Sequence, residues 1–370
     1  MHCLVSRHLP VLEIRIALTA TRPFTSSVLA PAIPNLMREF HTKNPDLSSF
    51  ILSIYILGYA VGPLLISPLS EVFGRVPLYH CCNTLFTICT VLCGRTSSLW
   101  SLATARFLAG VGGSGVFALA PSSVADMFRK EKRGAIMALV VVGYNLGPPA
   151  SPIAVSYINA AWGWRWVFYI SGGAGLVVTV LNYIGLSETY EPVLMKAQLR
   201  RQKLAQPHLV QSIYDPDDGA STTRLSARAM LMPLRILIFS KTILLTSFLM
   251  TVAYGSTYIL YSTIPTTFLM TYAWSPRKTD LVYLSTAVGA LLGMVACAGI
   301  SDMIINKRKR NNDNRPENRL LPMCFFWPLV SAGLSAYAWT AHNEIHWAVP
   351  LSGATVFGAG TMSSMVSTAI

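Results

Sequence analysis

The chain has 370 residues, 52% of them apolar and 12% charged, with a mean hydropathy of +0.47. So little polar surface excludes a soluble protein of this length and implies an all-α, multi-pass integral membrane protein with the lipid bilayer as its partner. The net charge of +13 falls in alternate loops, as membrane topology requires, so nucleic acid is excluded as a partner.

A bilayer is crossed by ~20 helical residues. The first candidate span, near 11–33, is interrupted by Glu13, Arg15 and Arg22. Each mid-helix charge costs roughly 2.5–3.5 kcal/mol on insertion scales, so this helix is weak. The same stretch lacks the apolar core and the cleavage site of a secretory signal. Nine clear spans follow, near 48–68, 77–95, 99–122, 134–156, 166–186, 239–263, 281–301, 320–341 and 346–370. Basic residues gather after the second helix (Arg75), after the fourth (Arg129, Lys130, Lys132, Arg133), after the sixth (among them Lys196, Arg200, Arg201 and Lys203) and after the eighth ("NKRKRNNDNR"). The positive-inside rule makes these loops cytoplasmic.

The polar stretch 187–238, with "DPDDGASTTR", cannot be buried and divides the chain. Residues 1–186 form a six-helix bundle, 187–238 a cytoplasmic linker, and 239–370 a second bundle with four helices. Within the linker, "YEPVLMKAQLRRQKL" suits a helix lying on the inner membrane surface or a solvated one. A repeat at an offset of 231 residues relates the halves: Gly58, Gly62, Ser70 and Glu71 correspond to Gly289, Gly293, Ser301 and Asp302. Parallel repeats of this kind place a substrate between the halves near mid-membrane in secondary transporters.

The seven cysteines form no C-x-x-C pair and read as packing residues, with no metal site. No P-loop and no serine–base or His/Cys constellation is visible, so neither an enzyme nor a bound cofactor is expected.

The second helix ends in "YAVGPLLISPLSEVFGRVPLYH". An acid and a base at an inner helix end, Glu71 and Arg75, can hold neighbouring helices in one conformation and release them in another. Gly74 permits the tight turn, and Asp126 and Arg133 lie on the same membrane side as possible partners. The plain alternative is that these charges only cap helix ends. Arg106 lies inside the apolar fourth helix and must find a partner there; such intramembrane charges are costly and usually functional, and the plain alternative is a buried arginine that only holds helices together. In the fifth helix, "GYNLGPPASP" supplies Gly143, Gly147, Pro148 and Pro152, which allow close approach and bend the helix. In the seventh, Tyr254, Tyr258 and Tyr261 share one face and are candidates for a substrate cavity. A packing or lipid-facing role is the alternative for these tyrosines.

"GPLLISPLSEVFGR" resembles the loop motif of the major facilitator superfamily, in the form found in fungal drug:proton antiporters of twelve helices. The resemblance continues through "ARFLAGVGGSG", "VADMFRKEKRGAIMAL", "GWRWVFYI", "ETYEPVLMKAQLR", "PENRLLPM" and "HWAVPLSGATVFGAG". It implies a two-bundle fold with nine or ten of twelve expected helices, so the chain reads as truncated. It links Arg106, with Gly110 in the same motif, to proton coupling, and it likens the fifth-helix stretch to the antiporter motif. There Ser151, Ala154 and Val155 replace the usual glycines.

The expected function is a secondary exporter of small amphipathic molecules by alternating access. It would work as a monomer in the plasma membrane, driven by a proton gradient and without a cofactor. A non-transporting fragment and an uptake transporter are the alternatives.

Overall fold

The computed structural model describes residues 22, 24–29, 32–41, 45–128, 130–185, 188, 193, 195, 235, 238–310 and 321–369. Among these, helices dominate and no strand occurs. The short α1 (Phe24–Ser27) and α2 (Ile33–Glu39) precede α3 (Pro45–Phe73), α4 (Arg75–Arg95), α5 (Leu99–Gly113), α6 (Gly115–Met127), α7 (Lys130–Trp162) and α8 (Trp164–Gly185). After the linker come α9 (Lys241–Met270), α10 (Pro276–Asp280), α11 (Tyr283–Arg310), α12 (Leu321–His342) and α13 (Ala348–Ala369).

Nearly all of the weak first span before residue 22, and the proposed surface helix of the linker, lie outside the described residues. Among the described residues, six helices are long and apolar enough to cross a membrane: Phe50–Phe73, Arg75–Arg95, Leu99–Asp126, Trp164–Gly185, Ile243–Met270 and Lys278–Ser301. The other three expected spans fall in α7, α12 and α13, some of whose side chains lie outside the described residues. The last of these, α13, lies against α11, α12 and α7, and Ser363, Ser364 and Ala354 are fully enclosed, so much of it need not face lipid. Large apolar side chains such as Ile184, Phe239, Met270 and Trp339 stand exposed on the periphery, where a soluble protein would not keep them. The fourth span is α5 and α6 with one residue between them. Ser114 stays in the right-handed helical region, and its amide still bonds the Gly110 carbonyl at 3.0 Å.

The N-terminal helices pack mainly as α3 on α5, and α4 on both α5 and α8, and the C-terminal ones as α13 on α11 and α12. The repeated glycines make the equivalent crossing in each half. A Cβ added at Gly58 on α3 would meet the Phe107 carbonyl oxygen of α5 at 2.3 Å, and one at Gly289 on α11 would meet the Thr355 carbonyl oxygen of α13 at 2.0 Å. Backbone packed this closely is accessible only to small residues, and the tight contact substitutes for a hydrophobic force that lipid does not supply. The halves meet through α7, which touches α10, α11 and α13.

Candidate functional site

The C-terminal ends of α3 and α6 and the N-terminal end of α4 form one cluster. Gly74 ends α3 and begins α4 at φ 92°, a backbone region that side chains disfavour. The turn folds Arg75 inward, where its side chain is 9% exposed and its Nε donates to Asp126 Oδ2 at 2.5 Å. The first amides of α4 have no partner within the helix. Glu188 supplies one: its Oε1 accepts from the Arg75 amide at 3.1 Å and its Oε2 from the Val76 amide at 3.2 Å. A negative charge at that helix end is also favoured by the macrodipole. Gly74 serves here twice, because a Cβ would stand 2.6 Å from Glu188 Oε2.

Of the residues expected in this cluster, the structure joins Arg75, Gly74 and Asp126. Glu71 is not joined to them; it lies exposed on the last turn of α3, outside the two ion pairs seen among the described residues. Helix geometry explains this, since the sharp turn at Gly74 carries Arg75 under the bundle while Glu71 remains on the outer side of α3. The side chain of Arg133, and that of Asp302 in the repeat, lie outside the described residues. Sequence reasoning missed Glu188. A positive-φ glycine followed by a helix start with no Ser, Thr, Asp or Asn cap of its own was the available signal.

Deeper in the membrane, Arg106 on α5 is 1% exposed. Its Nη2 donates to the Ser26 carbonyl at 3.4 Å, and its Cζ lies 5.0 Å from the ring centre of Tyr55 and 5.8 Å from that of Phe168. A backbone carbonyl and two aromatic faces thus hold the charge. Gly110, one turn further along, lets α5 reach α3: its Cβ would fall 2.3 Å from the Tyr55 carbonyl oxygen.

Ser26 also faces the other half, accepting from the Tyr258 hydroxyl at 3.3 Å. Tyr258 belongs to a cavity of about 40 Å³ between the halves, bounded by α7, α9, α11 and α13. All three tyrosines expected from the sequence, Tyr254, Tyr258 and Tyr261, line it. Pro148 and Pro149 of α7 form part of the opposite wall with Tyr144. Gly147 and Pro152 are buried and Gly143 is half-buried on the same helix. Phe357, Met362 and Met365 add apolar surface, and among the described residues no charged side chain lines the cavity. Its present volume holds a water or two. An organic guest therefore requires the walls to part.

Elsewhere in the N-terminal half, Glu39 closes α2 against α8. It accepts from Trp164 Nε1 at 2.7 Å and forms an ion pair with Arg165, whose guanidinium lies 4.5 Å above the Trp164 ring centre.

Comparison with known proteins decides the family. The sequence profile described as Major Facilitator Superfamily matches residues 16–370. The chain belongs to the major facilitator superfamily. Among its relatives, the MFS-type transporter atr4 of Stereocaulon alpinum is 38% identical over 353 residues, covering 95% of this chain and 64% of that protein. The efflux pump radE of Floropilus chiversii is 34% identical over 350 residues, covering 94% and 65%. The chain thus spans about two thirds of the length of these relatives. The solved structure of the proton:xylose symporter XylE with 6-bromo-6-deoxy-D-glucose superposes with a TM-score of 0.70 at 14% identity, covering 98% of this chain and 82% of that one. A partially occluded, inward-open form of XylE from E. coli gives a TM-score of 0.65, also at 14% identity, covering 96% and 84%. These structures share the fold. Superfamily membership makes the chain a multi-pass membrane protein of a transporter lineage, not an enzyme.

Proposed function

We propose that the protein exports small amphipathic organic molecules across the plasma membrane in exchange for protons, by alternating access and without a bound cofactor. The observation that carries this reading is the cavity at the seam of the halves, walled by Tyr144, Tyr254, Tyr258 and Tyr261 with Phe357 and the methionines. Aromatic faces and thioethers hold flat apolar bodies, and phenol and threonine hydroxyls satisfy a few polar groups. Arg106 supports the coupling, because its carbonyl partner Ser26 is also the residue that Tyr258 binds. A change of charge or water around the guanidinium would be felt at the cavity wall through one residue. The relative named an efflux pump supports export. The working unit is a monomer in the bilayer, with a small molecule as its partner.

The 370-residue chain, purified into proteoliposomes loaded with a fluorescent amphipathic dye, tests this. An imposed proton gradient should drive dye movement against the flow of protons, and a protonophore should stop it. Movement in the same direction as the protons would indicate uptake, and no movement at all would indicate a chain that does not transport by itself.

A further inference from the structure

Arg22 stands out as a buried cation that the described protein does not satisfy. It is 3% exposed, and Nε, Nη1 and Nη2 all lack a hydrogen-bond partner among the described residues. Its Cζ lies 4.6 Å from the ring centre of Phe86 on α4, which steadies the charge without accepting a proton. A guanidinium does not escape this situation by losing its proton, and an unpaired buried charge is among the most costly arrangements in a fold. The position is therefore built to receive an acceptor.

The place of Arg22 indicates where that acceptor comes from. Its backbone carbonyl accepts from Thr25 Oγ1 at 2.6 Å and from the Tyr55 hydroxyl at 3.5 Å. Tyr55 packs on Tyr59 with ring centres 5.6 Å apart, and Tyr59 packs on the cavity residue Tyr144 at 6.2 Å. Four residues after Arg22, Ser26 binds the cavity residue Tyr258. Arg22 thus lies one aromatic layer behind a wall whose own lining has no charge. To open that layer, Tyr59 must leave the Gly113 carbonyl, to which its hydroxyl donates at 3.1 Å.

We infer that the transported molecule is an aromatic organic acid, whose ring occupies the tyrosine-lined cavity and whose carboxylate or acidic phenolate pairs with Arg22. This rests on the transporter reading above and specifies its substrate class. A guanidinium binds such groups through two parallel N–H donors, so the acid group fixes orientation while the tyrosines tolerate varied ring systems.

The test compares 2-naphthoate with its methyl ester at neutral pH, binding to the purified full chain by quenching of tryptophan fluorescence. The wild-type protein should bind the acid at least ~10-fold more tightly, about 1.4 kcal/mol. Arg22→Gln should bring the two to the same affinity, and Arg22→Lys should restore part of the preference. Equal binding of acid and ester by the wild type overturns the inference without any variant and leaves the cavity reading standing. An acid preference that persists in Arg22→Gln also overturns it. Binding of neither probe overturns the aromatic-cavity reading and the inference with it.

Discussion

Arg106 and Tyr258, from different halves of the molecule, meet on Ser26: the guanidinium bonds its carbonyl and the phenol its hydroxyl. The contact lies between a buried charge and the wall of the cavity. Removing the charge should therefore affect coupling more than it affects assembly. Arg106→Ala is expected to lower proton-driven export at least ~10-fold, a rise of about 1.4 kcal/mol in the transport barrier. Tyr258→Phe, which removes one hydroxyl bond of ~1 kcal/mol, should cost several-fold. Proteoliposome flux, normalised to reconstituted protein, measures both. Full flux in Arg106→Ala would remove that residue from the coupling path.

At the inner turn, Gly74→Ala combines a positive φ with a Cβ placed 2.6 Å from Glu188 Oε2. The expected loss is ~1–3 kcal/mol of stability, read as earlier thermal unfolding of the purified protein. Gly74→Asn should lose less, because asparagine tolerates the left-handed region better than alanine does. Equal loss in both variants would place the cost in the steric clash alone.

The carboxylate of Glu188 accepts one amide on each oxygen, and glutamine keeps only one acceptor. Glu188→Gln should therefore destabilise about half as much as Glu188→Ala, which should cost ~0.5–2 kcal/mol, as a lost helix cap does. Cysteine labelling from the cytoplasmic side, with a reporter cysteine on α4, checks whether the lost cap also loosens the inner ends of the helices. Unchanged labelling in both variants would confine Glu188 to a static cap.

Much of this arrangement was legible in the sequence because bilayer physics acts on composition over long windows. Six of the nine apolar spans and the tyrosine face at 254, 258 and 261 are found among the described residues, and the three tyrosines share one cavity. What was not legible depends on contacts between residues far apart in the chain. The sequence left open which acid pairs with Arg75, Glu71 or Asp126. The turn at Gly74 decides for Asp126, and no local pattern encodes that choice. Glu188 stands 113 positions from the amide it caps, and its motif was visible while its contact was not. Arg22 read as a flaw in a weak helix. Only its enclosure by Phe86, without an acceptor among the described residues, shows it as a separate feature.

The repeated glycines make a symmetric prediction. Gly58→Val and Gly289→Val each place a branched side chain against a carbonyl oxygen that would lie 2.3 and 2.0 Å from the added Cβ. Both helix pairs must spread, and overpacking of this kind costs ~1–3 kcal/mol. Similar thermal destabilisation is expected from the two variants. Clear loss in one and none in the other would show that the halves use their glycines differently.

The last prediction concerns pH at the junction of α2 with α8. Glu39 closes α2, and the Arg165 guanidinium and the Trp164 N–H hold its carboxyl below the usual carboxylate range. A carboxyl depressed in the folded state contributes stability above its unfolded value and loses it as pH falls through the folded one. The contribution should thus be present at neutral pH and decline below about pH 4. It is small, because the side chain is 42% exposed and solvent screens the pair. Thermal unfolding followed from neutral to acid pH should show a steeper decline for the wild type than for Glu39→Gln, whose uncharged amide has no proton to gain. Parallel curves would mean that the ion pair with Arg165 forms no net stabilising contact and that the Trp164 bond alone closes α2 on α8.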